Sequence, residues 1–276
     1  MRDVTIAADR ESCRPGPGGR VEALLPPGLD WVSAALLIAA SAATSALTAA
    51  FGLGGGVTLL ALMASLLPPA ALIAVHGLVQ LGSNAGRAGL MAGRVAPGVV
   101  VPFALASGAG ALAGAALAVE LPPALLRLAI GGFVLAMLWG PPLATVLPGL
   151  RLGRAGLWLA GLATGWLTML LGATGPFVGA AIRGRLPERE TFVATLAVLM
   201  TLQHGLKIAA FGLFGFAFAP WLPLALAMVA TGFLGTLAGR WVLVRLDEAL
   251  FQRVLSAILT LLALRLVLLG AAELLD

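Results

Sequence analysis

Five stretches of this chain, 31–51, 97–119, 124–147, 191–214 and 221–244, are almost wholly apolar. Each reaches the ~20 residues that a helix needs to cross the ~30 Å hydrocarbon layer of a bilayer. Nothing else in the sequence limits the fold so strongly. Of the 276 residues, 60% are hydrophobic and 11% charged, against roughly 25% charged in soluble domains. A water-soluble fold cannot hide that much apolar surface, so the expected class is all-α: a polytopic transmembrane helical bundle in a lipid bilayer.

The net charge is +5, but the basic residues are scattered between the spans rather than gathered on one face or tail. That pattern argues for topology signals and against nucleic-acid binding. The single cysteine, Cys13, allows neither a disulfide framework nor a cysteine metal site. The acidic residues are informative by position. Asp3, Asp9, Glu11, Glu22, Asp30, Glu120, Glu188, Glu190, Asp247, Glu248, Glu273 and Asp276 all fall in tails or connections. A core without carboxylates argues against a cation transporter and against an Asp/Glu proton relay.

The chain repeats itself. A shift of about 120 residues lays Phe51-Gly-Leu-Gly-Gly-Gly56 over Leu171-Gly-Ala-Thr-Gly-Pro176, and Ser83-Asn-Ala-Gly-Arg87 over Gln203-His-Gly-Leu-Lys207. A slightly larger shift lays Gly110-Ala-Leu-Ala-Gly114 over Gly235-Thr-Leu-Ala-Gly239. Repeats of this size suit the two halves of a transporter. The expected organisation is a disordered polar tail at 1–30, a first membrane repeat at 31–147, a connecting loop at 148–155 and a second repeat at 156–272. In each half an apolar helix breaks at the glycine-rich segment and continues as a piece too short to span, 57–67 or 177–182. Such halves of a broken or re-entrant helix are tolerated at membrane depth only where protein or a cavity surrounds the open backbone.

If both breaks are re-entrant, Arg94, Arg151, Arg154, Arg183, Arg185, Arg189, Arg240, Arg245 and Arg253 fall near one side, leaving Arg127 and Arg265 near the other. Basic loops mark the cytoplasmic side. This count gives each half three full crossings plus a hairpin, and makes the halves inverted repeats.

The candidate site follows from the glycine breaks. A helix restarting after Gly54-Gly55-Gly56, and another after Gly172-Ala173-Thr174-Gly175-Pro176, would each direct free N–H groups and a positive dipole end into the protein. Two such ends near the midplane would hold an anion, with Thr58, Thr174 and the Phe177 amide beside them. At Gly55 and Gly175 the backbone is expected to approach the ligand closely, with φ often positive. Lys207, the only lysine, lies within a span next to Gln203 and His204, and is expected to be the principal fixed cation near the substrate. Its repeat counterpart is Arg87. The residues His76, Gln80, Ser83, Asn84 and Arg87 share one helical face. Substrate contact and helix-packing glue both explain such a stripe.

The glycine motif, its short helix, the Pro68-Pro69 turn and the His76-Gly-Leu-Val-Gln-Leu-Gly-Ser-Asn84 stretch, repeated in weaker form in the second half, resemble the TauE/SafE sulfite exporter family over about residues 31 to 270. The resemblance implies a multi-pass permease of the cytoplasmic membrane for small sulfur oxyanions or organosulfonates. The leading expectation is a secondary transporter for a small anion such as sulfite. It needs no cofactor or metal, and an ion or proton gradient is the simplest coupling, since no nucleotide-binding loop is present. A passive anion channel and a membrane scaffold subunit are the alternatives. An intramembrane enzyme has little to work with: no core carboxylate, no tyrosine, and two histidines. Substrate, direction and oligomeric state are left open.

Overall fold

The computed structural model describes residues 25–51, 54–141, 153–242 and 248–275. The expected disorder of the tail therefore lies, for residues 1–24, outside the described residues, as do Gly52, Leu53 and most of the connecting loop. Ten α-helices make up the described chain, and it contains no strand. They are α1 (Trp31–Phe51), α2 (Gly55–Leu66), α3 (Pro69–Leu90), α4 (Pro97–Glu120), α5 (Pro123–Trp139), α6 (Arg154–Leu171), α7 (Gly175–Arg183), α8 (Arg189–Leu213), α9 (Leu222–Val242) and α10 (Glu248–Leu275).

Local chemistry sets the helix starts. Asp30 accepts hydrogen bonds from the Ser33 amide and hydroxyl, both at 2.9 Å, at the head of α1. Those bonds hold its carboxyl below the usual range. Prolines open α3, α4 and α5, where the missing N–H costs no intrahelical bond. The span expected over 124–147 is shorter in the structure. Its helix stops at Trp139 because Gly140 turns to extended backbone before Pro141.

The packing contains two similar helix pairs. Helix α4 lies along α6 and α1 along α9. A Cβ at Gly110 would run into the Leu162 carbonyl, and one at Gly235 into the Ala42 carbonyl. Shifts of 120 and 125 residues carry Ala42 to Leu162 and Gly110 to Gly235, so the same contact is made twice with the halves exchanged. Along α4 and α6, Phe103 meets Gly161 and Ser107 meets Gly165, so numbers rise together and the helices run parallel. Along α1 and α9, Ser41 donates to the Met228 carbonyl at 2.6 Å and Ser45 meets Gly232, again parallel. Close backbone approach at small residues is how membrane helices gain contact without a hydrophobic driving force. The equivalent helices α5 and α10 instead run antiparallel, since Ala124 meets Gly270, Gly131 meets Leu266 and Trp139 donates to Thr260 at 2.9 Å.

Five helices among the described residues are long and apolar enough to cross a membrane. Their outer faces leave Leu105, Leu226 and Leu261 more than 60% exposed, a surface that needs lipid rather than water. At one end Arg94 pairs with Glu188 and Glu190, at 3.8 and 3.4 Å, while Arg154 and Arg185 border one shallow pocket with Pro97. At the other end Arg127 pairs with Glu273, and Arg265 donates to the Ser65 carbonyl at 3.3 Å.

Candidate functional site

Both glycine breaks open onto one small cavity of about 60 Å³. Gly54, with φ 103°, turns the chain so that α2 begins at Gly55, and α7 begins 120 residues later at Gly175. Helix ends leave their first N–H groups without intrahelical partners. Gly54 and Gly56 come to the cavity from one break, and Gly175 and Pro176 from the other. Two positive dipole ends, each worth roughly half a charge, therefore converge on one space.

Helix α3 supplies the polar wall with His76, Gln80, Asn84 and Arg87. These side chains form a chain of contacts. His76 Nε2 lies 3.0 Å from the Gly56 carbonyl, which can only accept, so this nitrogen carries the proton and donates. The Gln80 amide nitrogen is 3.4 Å from the same Nε2. Asn84 donates to the Gln80 carbonyl at 2.9 Å, and Arg87 donates to Asn84 Oδ1 at 3.4 Å. Helix α8 faces them with Leu196, Met200 and His204. Among the described residues no carboxylate borders the cavity, so the field of its lining is positive.

Several expected site residues lie elsewhere. Lys207 is fully buried, its stem packed on Gly77, and its Nζ donates to the Gly172 carbonyl at 2.6 Å. It satisfies the end of α6, where Gly172 turns with φ 80°, and it does not border the cavity. Gln203 is a fastener. It accepts from Thr174 at 3.1 Å and donates to Ser107 at 3.0 Å and Thr164 at 2.9 Å, joining the second break to α4 and α6. Phe177 stacks on Phe133 with centroids 5.9 Å apart. Thr58 faces a larger, mostly apolar cavity of about 610 Å³, which shares Gly54, Val57 and Pro176 with the small one and has the exposed Arg183 on its wall.

The expected positive φ falls at Gly54 and Gly172 rather than Gly55 and Gly175. Gly55 is confined for another reason: a Cβ there would collide with the Thr44 carbonyl and the Thr48 hydroxyl. Around Gly175 no atom of the described residues lies within 4 Å of that position. Sequence reasoning overlooked Leu196 and Met200. The signal was available, because they follow His76 and Gln80 by the same 120 residues that relate the two breaks.

No curated protein and no solved structure gives a significant match. A sequence model of the family described as sulfite exporter TauE/SafE matches residues 36–266, a range that begins inside α1, ends inside α10 and includes both breaks and the whole cavity wall. On that match, the chain belongs to the TauE/SafE sulfite exporter family.

Proposed function

We propose that this protein is a secondary transporter that carries a small sulfur-containing anion, held between the N-termini of α2 and α7. The family is one of membrane transporters for sulfur-related anions, and the finer reading rests on one observation. Two helix N-termini and the Arg87 guanidinium border the same carboxylate-free cavity. Backbone N–H groups, the Gln80 and Asn84 amides and Arg87 supply donors, and an oxyanion presents only acceptors. A volume near 60 Å³ suits a compact group such as sulfite or a sulfonate head. The adjoining apolar cavity serves as the way in, with Arg183 drawing anions toward it.

Alternating access requires a site shared by two halves that can rock against each other. The antiparallel packing of α5 against α10 supports inverted halves, because equivalent helices that run antiparallel are related by an axis across them. On this reading the Arg94, Arg154 and Arg185 end faces the cytoplasm, in the inner membrane of the cell. Cysteines placed singly at Gly153 and Gly184 should then share one labelling behaviour toward an impermeant reagent. Labelling of only one from outside intact cells would reject the inverted arrangement.

The direct test is calorimetric titration of the purified protein with sulfite, thiosulfate, sulfoacetate and taurine, with sodium and potassium ions as controls. The sulfur anions should bind and the cations should not. Arg87→Ala should fold and lose binding about ten- to a hundredfold, the range for a hydrogen bond to a charged group. A folded Arg87→Ala protein that binds as tightly as wild type would remove the cavity from consideration.

A further inference from the structure

We infer that the cavity carries a proton together with a doubly charged anion, and that the imidazole pair His76 and His204 is its binding site. This rests on the anion reading above. The chain has only two histidines, one from each half, and folding brings their rings to 6.0 Å between centroids, edge to face. Both border the cavity and both are at most 1% exposed. Each keeps a buried Nδ1 with no hydrogen-bond partner among the described residues. In His76 the other nitrogen is committed to the Gly56 carbonyl, so Nδ1 is the bare lone pair. A polar atom buried with no partner carries a desolvation penalty, and a proton followed by an anion relieves it.

The surrounding charges decide when the proton arrives. On the pair's own helices the charged neighbours are Arg87 and Lys207. The helices packed around them keep their titratable groups at or near their ends: Glu120 on α4, Arg127 on α5, Arg154 on α6, Arg183 on α7 and Arg240 on α9, with Arg94 in the turn before α4. Helix α2 has none. Among the described residues no carboxylate faces the rings, so nothing there balances a further positive charge until an anion enters. A dianion brings two negative charges to a cavity whose described lining holds one fixed cation, Arg87, while the Lys207 ammonium is committed to the Gly172 carbonyl behind the wall, so one imidazolium at the cavity itself matches the second charge. At 6.0 Å the rings accommodate one such charge and not two. The proton comes from bulk water and adds to an Nδ1 lone pair. No bond in protein or substrate breaks, and the proton leaves when the anion leaves.

The probes are thiosulfate, doubly charged between about pH 5 and about pH 9, and methanesulfonate, singly charged throughout, titrated in buffers of different protonation enthalpy. Wild type should take up about one proton per thiosulfate and none per methanesulfonate, and thiosulfate affinity should rise up to about tenfold per unit fall in pH. In the His76→Gln/His204→Gln double variant the proton count should drop to zero and the pH slope vanish. A merely structural role would lower affinity equally at every pH. A wild-type count of zero with thiosulfate bound would overturn the inference, whether or not the double variant folds. So would a count of one that survives in the double variant. Failure of both anions to bind would remove the anion site, and this inference with it.

Discussion

The two glycine breaks occupy equivalent places and are built for different work. At the first, Gly55 is wedged against Thr44 and Thr48, and the helix that follows in sequence, α3, lines the cavity with His76, Gln80, Asn84 and Arg87. At the second, Gly175 has open space, and the matching positions on α8 are Leu196, Met200, His204 and Lys207. The two breaks share one local geometry, and the residues around them divide the labour. One set carries the polar contacts, while the other provides a mostly apolar wall with one histidine and uses its cation to finish a helix end.

The largest expected effect separates the glycines themselves. Gly55→Ala forces a methyl into backbone and should lose most folded protein, since overpacking of this kind costs about 1–3 kcal/mol or more. Gly175→Ala has room and should keep its melting temperature. On the proposed anion site it should weaken thiosulfate binding about tenfold, or about 1.4 kcal/mol, because the methyl would border the cavity. Equal melting temperatures for the two variants, measured in the same detergent, would break the comparison. Gly110→Ala, beside the Leu162 carbonyl, should resemble Gly55→Ala in stability.

The next contrast is between the two cations. Lys207→Met leaves the buried Gly172 carbonyl unpaired, a loss of about 1–3 kcal/mol in stability, and should change anion affinity by no more than about twofold. Arg87→Ala should do the reverse. If Lys207→Met abolishes binding in folded protein, the charge behind the cavity matters more than the donor inside it. The smallest effect is at the surface. Arg94, 60% exposed beside Glu188 and Glu190, should cost no more than about 1 kcal/mol when replaced by alanine, with transport unchanged. A larger loss in a thermal melt would mean that the arginine end is held together by charge.

Much of this was legible in the sequence. The membrane class follows from apolar length, and a helix restart at each glycine break was expected, although the observed starts at Gly55 and Gly175 come two residues earlier than the expected 57 and 177. The polar face from His76 to Arg87 could be read from helical spacing alone. What could not be read was reach. Lys207 and Arg87 are equivalent by position, but only the fold brings the Gly172 carbonyl within 2.6 Å of Nζ. The crowding at Gly55 was equally hidden, because it depends on how α2 folds back against α1. The close approach of His76 and His204 needed the packing of α3 on α8.

The pairing of α1 with α9 has a consequence for how the protein is made. During synthesis the first helix leaves the ribosome about 170 residues before its partner begins at Leu222, a wait on the order of 10 to 30 s at common elongation rates. Its seam of small residues, Ser41, Ala42 and Ser45, takes its contacts from α9, at Met228, Gly232 and Gly235. That seam of α1 is therefore closed only after the second half has been made. The two halves, expressed as separate chains, should be degraded alone and stable together.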